Sequence, residues 1–138
     1  MREPRYLVDS SVLGRAHQPI VGERLQELEL HGRLWTCRMT DLEVVYAART
    51  RDVPGVVAAR RALPEAAITP ETMDRALDVM AELAARHHHR GVKPADCVIA
   101  ASAEARGLGV LHYDDDFDRI AEVTGQHTEW VAPRGSLD

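Results

Sequence analysis

Lysine is almost missing from this chain: sixteen of its 17 basic residues are arginine, and only Lys93 is lysine. The richness in arginine and alanine is read as a mark of genome composition. A positive net charge is missing too, since the formal charge is −5. Non-specific nucleic-acid binding rests on neutralising phosphates, so any such role here needs a local basic surface or bound cations. Cysteine is scarce. Cys37 and Cys97 lie far apart and lack metal-type spacing, so they read as buried free thiols in a reducing cytoplasm. No run approaches the ~18 apolar residues of a membrane span, and no membrane role is expected. The N-terminal "MREPRYLVDSSVLG" has no apolar stretch of the roughly 7–15 residues that a signal peptide carries, so none is expected. Internal repeats, low-complexity segments and long linkers are also lacking.

What is present fits one domain over residues 1–138. Apolar residues make up 45% and charged residues 28%, an ordinary globular balance. "RYLVD" (5–9) reads as a short buried strand ending in an acid. "RLQELELH" (24–31) has Leu25, Leu28 and Leu30 at helical spacing, with Gly32 as the stop. "RLWTCRM" (33–39) reads as a strand. Thr40 and Glu43 of "TDLEVVYAA" form a capping box that opens a helix. Pro54 and Gly55 mark a break, after which the helical pattern resumes to Pro64.

"AAI" (66–68) is a short-strand candidate. Thr69 and Pro70 open the clearest helix (69–87), where Met73, Ala76, Leu77, Met80 and Ala84 share one face. Pro94 and Gly107 bracket another helix over 93–107. "GVLHY" (109–113) reads as a strand, "DDFDRIAEVTG" as a short helix, and "HTEWVA" (127–132) as a last strand. Strands alternating with helices predict an α/β/α sandwich around a mostly parallel sheet.

The stretch "GVLHYDDDFDRIAEV" places Asp114, Asp115, Asp116 and Asp118 within five positions. Two unit charges ~5 Å apart cost roughly 3 kcal/mol at an effective dielectric of ~20, so such crowding calls for a reason. Each acid of the chain has a plain structural explanation. Asp9 can cap a helix starting at Ser10 or Ser11, Glu43 can complete its capping box, and Asp96 and Asp114–Asp116 can favour helix dipoles. Capping alone does not require convergence, however. Asp9, Glu43 and Asp114 each follow the end of a predicted strand. In an open parallel sheet those ends share one edge, where ligands bind. Asp96 begins a helix leading into one of those strands. A hard divalent cation takes such oxygens and offsets their repulsion.

"YLVDSSVL", "TDLEVVYAAR" (40–49), "KPADCVIAASA" (93–103) and "VLHYDDDFDRIA" (110–121) resemble, in order, the four motifs of PIN-domain nucleases. They are similar, more narrowly, to VapC-type toxins of bacterial toxin–antitoxin pairs. The resemblance implies an acidic quartet of Asp9, Glu43, Asp96 and Asp114, with Asp116 a further acid. Asp9, Asp96, Asp114 and Asp116 would be metal ligands, and Ser11 would orient a ligand carboxylate. It also implies Mg²⁺ or Mn²⁺ dependence, cleavage of RNA (transfer or ribosomal) by metal-activated water, homodimerisation, and inhibition by a VapB-type antitoxin. Asp115 is left out of the site, and Asp118 reads as capping or surface.

Two rival functions stay open. One is a phosphohydrolase or phosphoacceptor domain with Asp9 as nucleophile, although Ser11 stands where such enzymes usually place a second acid. The other is a catalytically silent module that binds metal or a basic partner. "HHH" (87–89) reads as a solvated helix end, because adjacent histidines on a helix point apart. His112, isolated in a strand, reads as structural rather than catalytic. Arg49, Arg51, Arg60 and Arg61 form a basic region, either a solvated face or a contact for RNA phosphates. Trp35 and Trp130 read as core rather than stacking platforms.

Overall fold

A computed structural model describes residues 3–137; residues 1, 2 and 138 of the expected 1–138 domain lie outside it. Its centre is a sheet of four short strands: β1 (Tyr6–Val8), β2 (Leu34–Trp35), β3 (Gly109–His112) and β4 (Thr128–Trp130). Their order is β2-β1-β3-β4, and every pairing is parallel. β1 and β3 are centrally placed, with Val8 opposite Leu111. Successive residues of a strand face opposite sides. Leu7 and Val110 therefore enter one apolar cluster, and Tyr6, Val8 and Leu111 enter another.

The first cluster is covered by α5 (Pro70–Ala85), α6 (Pro94–Ala105) and α7 (Asp116–Thr124). The second is covered by α1 (Ser10–Leu13) and α2 (Pro19–Leu30), through Val12, Val21 and Leu28. Helices on both faces of a parallel sheet make the three-layer α/β/α sandwich that the alternation of elements predicts. The α6 helix is buried on all sides from Asp96 to Ala103, which explains why its sequence carries no polar stripe.

Several boundaries differ from the expectations. The α2 helix starts at Pro19 rather than Arg24, and Leu30 points outward. The strand expected over 33–39 shortens to two residues because α3 (Arg38–Ala47) begins early. Cys37 is its N-cap, and no side chain closes that end. Thr40 thus lies inside the first turn, and the expected Thr40–Glu43 capping box does not form. Pro54 starts a helix instead of breaking one: a 3₁₀ turn (Thr50–Asp52) leads into α4 (Val53–Arg61). The 66–68 segment forms no strand; its neighbour Glu65 makes only an isolated bridge to Thr36.

Thr69 caps α5 as expected, with Thr72 completing the box. The buried face of α5 is Thr72, Ala76, Val79 and Leu83, whereas Met73 and Leu77 are exposed. His87 follows that helix at a φ of 62°, in the left-handed region that favours glycine.

Candidate metal-dependent active site

The order β2-β1-β3-β4 has its switch point between β1 and β3, where ligands of open parallel sheets bind. Asp9 follows β1 directly, and its backbone N–H donates to Leu111 O at 2.9 Å. Asp9 is also the N-cap of α1. Its Oδ2 accepts from Ser11 N at 3.0 Å and from Ser11 Oγ at 2.6 Å. Ser11 Oγ in turn accepts from Tyr113 N at 2.9 Å, so one hydroxyl ties the end of β1 to the end of β3. The other oxygen, Asp9 Oδ1, is buried with no hydrogen-bond partner. Burial pushes the Asp9 carboxyl up, Ser11 opposes this, and the charge of Asp114 adds to it.

The opening turn of α6 brings Asp96 to the same place, 2% exposed. Burial, Asp116 and the charge of Asp9 hold its carboxyl well above the usual carboxylate range. Asp116 opens α7 and is held below the usual carboxylate range: burial alone would raise it, but Asp96 and Lys93 outweigh that. Two carboxyl groups this close do not both ionise readily, so they behave as one titrating pair. Asp114 joins them at the same corner. Its Oδ1 accepts from Asp116 N at 3.0 Å, and its backbone N–H donates to His112 Nδ1 at 3.2 Å. Asp96, Asp114 and Asp116 each offer one ligand oxygen, all within 4.8 Å of one another.

Asp9 and Glu43 stand beside this tight triad rather than within it. Glu43 comes from α3, half-buried, and accepts from Ser10 Oγ at 3.1 Å. Burial and the charge of Asp9 raise its carboxyl. A cleft of about 410 Å³ runs from Ser10 and Glu43 to Arg49 and Asp52. The acid set offers only hard oxygen donors, and Asp9 Oδ1 and Asp96 Oδ2 are buried without hydrogen bonds. Such a donor set suits a hard divalent cation.

Sequence reasoning missed Lys93, the chain's single ammonium among the acids, and Ser10. The signal for Lys93 was its position just before Asp96. His112 is fully buried between Phe117 and Trp130, with ring centroids 5.1 and 5.0 Å away. Burial pushes it down to about 4, so it is a neutral prop for Asp114. Trp130 donates its indole N–H to Asp118, and Arg134 pairs with Asp115, so those two acids serve structure. Arg60 does not belong to an exposed basic region: it is buried, 2.9 Å from Asp41 Oδ1 and 2.8 Å from Thr36 Oγ1. Arg49, Arg51 and Arg61 are exposed.

Residues 6–123 match the PIN domain family. The chain belongs to the PIN-domain family. It is 43% identical over 134 residues to Ribonuclease VapC21 of Mycobacterium tuberculosis, covering 96% of this chain and 97% of that protein. Ribonuclease VapC51 of the same organism is 42% identical over 135 residues, covering 97% and 98%. Among solved structures, a chain of a DNA-bound VapBC complex from Salmonella typhimurium superposes with a TM-score of 0.75. It is 22% identical and covers 94% of this chain and 100% of that one, a likeness of fold. All four segments that carry the acids of this PIN domain lie within the matched span.

Proposed function

We propose that this PIN domain is a metal-dependent endoribonuclease, the toxin of a toxin–antitoxin pair. The observation that carries this reading is the convergence of Asp96, Asp114 and Asp116 at the sheet's switch point, beside Asp9 and Glu43. Relatives over nearly the whole chain bear the name ribonuclease. Asp96, Asp114 and Asp116 would hold Mg²⁺ or Mn²⁺, and the orphaned Asp9 Oδ1 faces the same shortage of partners. When bound, such an ion supplies acidity to a water and positive charge to the phosphodiester. Ser11 fixes Asp9 in one rotamer. Glu43, with its raised carboxyl, is placed to accept or return a proton at its Oε atoms. Arg49, at the far end of the Glu43 cleft, is suited to an RNA phosphate.

An antitoxin and a second copy of the chain are the expected partners. Leu42 and Tyr46 on α3 are 65% and 93% exposed, and apolar side chains so presented favour assembly. No helix among the described residues is long and apolar enough to cross a membrane. We place the protein in the cytoplasm with its RNA.

The test is cleavage of bulk RNA and of purified transfer RNA, with Mg²⁺ or Mn²⁺ and with chelator. Cleavage should require metal and vanish in Asp96→Asn. That variant should be at least as stable as wild type without metal, because asparagine mimics the protonated carboxyl. Wild-type turnover in Asp96→Asn would remove Asp96 from the site. Inert wild-type protein with every metal would favour a silent binding module, and a phosphoryl group trapped on Asp9 would favour the phosphohydrolase.

A further inference from the structure

The chain's one lysine is delivered to the middle of its acids. Lys93 is the N-cap residue of α6. Its Nζ lies 2.7 Å from Asp114 Oδ2, 2.9 Å from Asp116 Oδ2 and 3.3 Å from Asp96 Oδ2. These are the same three carboxylates whose oxygens converge within 4.8 Å. An ammonium is a compact point charge with three donors, which suits it to a three-carboxylate corner better than a planar guanidinium would.

We propose that Lys93 is a tethered counter-cation that competes with the divalent ion, so that metal loading is an exchange of ammonium for metal. The inference rests on the reading above in taking the triad as the ion's ligands. The ammonium and a metal ion both claim Asp114 Oδ2 and Asp116 Oδ2, and two cations so close repel. One must leave when the other enters.

Lys93 is built to leave. Its side chain is 59% exposed, so its four-carbon stem can swing into solvent with little packing lost. Its main chain is anchored separately, since the Lys93 backbone N–H donates to Asp116 Oδ2 at 3.0 Å. Displacing the ammonium therefore leaves Asp116 positioned. The ammonium also leaves need for a further cation. Asp9 Oδ1 has no hydrogen bond although its residue is 3% exposed, and Asp96 Oδ2 has no hydrogen bond and only the ammonium at 3.3 Å. A single positive charge among Asp96, Asp114 and Asp116 offsets only part of their charge, and a divalent ion offsets more.

The experiment measures Mn²⁺ binding to the full chain without RNA, by electron paramagnetic resonance and by calorimetry at low ionic strength. Wild type is compared with Lys93→Met, which keeps the stem and loses the charge, and with Lys93→Gln as a second neutral variant. Folding is checked by circular dichroism. The neutral variants should bind Mn²⁺ about tenfold or more tightly than wild type, since a competing unit charge is removed. Their melting temperature should be lower without metal and should rise more on adding Mn²⁺. Equal or weaker binding by a folded neutral variant would overturn the exchange and leave the ribonuclease reading untouched. No Mn²⁺ binding by any of the proteins would overturn the triad as ligands, and the exchange with it.

Discussion

His112 shows what a buried residue does for a reactive neighbour it never joins. Its ring is wedged between two aromatics and accepts the Asp114 backbone N–H, so it sets the direction in which that aspartate leaves β3. Burial lowers it from 6.5 to about 4. An unfolded chain therefore binds a proton here before the folded one does. The stability this gives is fully present above about pH 6.5 and is lost as pH falls through about 4. Thermal unfolding followed between those values should show a shallower pH slope in His112→Gln than in wild type. An identical slope would mean that the ring is not held neutral. At this scale the acids were legible, because aspartates crowded after an apolar run need a reason. Their inequality was not. Which three share a corner, and that Asp9 and Glu43 stand beside it, depends on rotamers fixed by Ser10, Ser11 and Lys93, contacts that join positions up to 102 residues apart.

Among the elements, α3 separates what patterns reveal from what packing decides. The Thr40–Glu43 spacing predicts a capping box, yet the helix begins at Arg38. Asp41 explains the early start: it accepts from Thr36, Arg38 and Arg60, and this cluster pins the first turn of α3 against β2 and α4. A one-dimensional reading cannot see a partner 19 positions away. Glu43 is consequently free of any capping duty, which sharpens its test. Glu43→Gln should leave helix content and melting temperature nearly unchanged while RNA cleavage drops by about 10²-fold or more, the usual size of a general acid–base contribution. Near-normal turnover would reduce Glu43 to a partner of Ser10. Helices bracketed by proline and glycine were the most legible elements, as α6 shows with Pro94 and Gly107. The buried face of α5, Thr72, Ala76, Val79 and Leu83, lies one position round the helix from the apolar face that the spacing picks out, because periodicity shows that a face exists without showing what it meets. Met73 and Leu77 are apolar and remain outside.

For the whole molecule, charge is the puzzle: a chain of net charge −5 would act on a polyanion. Binding should then lean on metal and on local arginines, and weaken with salt less steeply than for a uniformly basic protein. The same acids offer an antitoxin a simple route to inhibition. The contact between Lys93 and the triad demonstrates that a basic side chain fits among them. An antitoxin arginine reaching the same corner would pair with the carboxylates and exclude metal. In the reconstituted complex, charge reversal of that arginine should restore RNA cleavage without dissociation. Cleavage that stays blocked would mean that inhibition covers the RNA path near Arg49 instead. The topology has a last consequence, for synthesis. β1 and β3 pair residues about a hundred positions apart, Tyr6 with Gly109 and Val8 with Leu111. The acids come from both ends of the chain, so a nascent polypeptide on the ribosome carries Asp9 long before Asp114 and Asp116 exist. An acid corner wired in this way cannot assemble before β3 and Asp116 have been made, so the cut it would perform waits on that late segment.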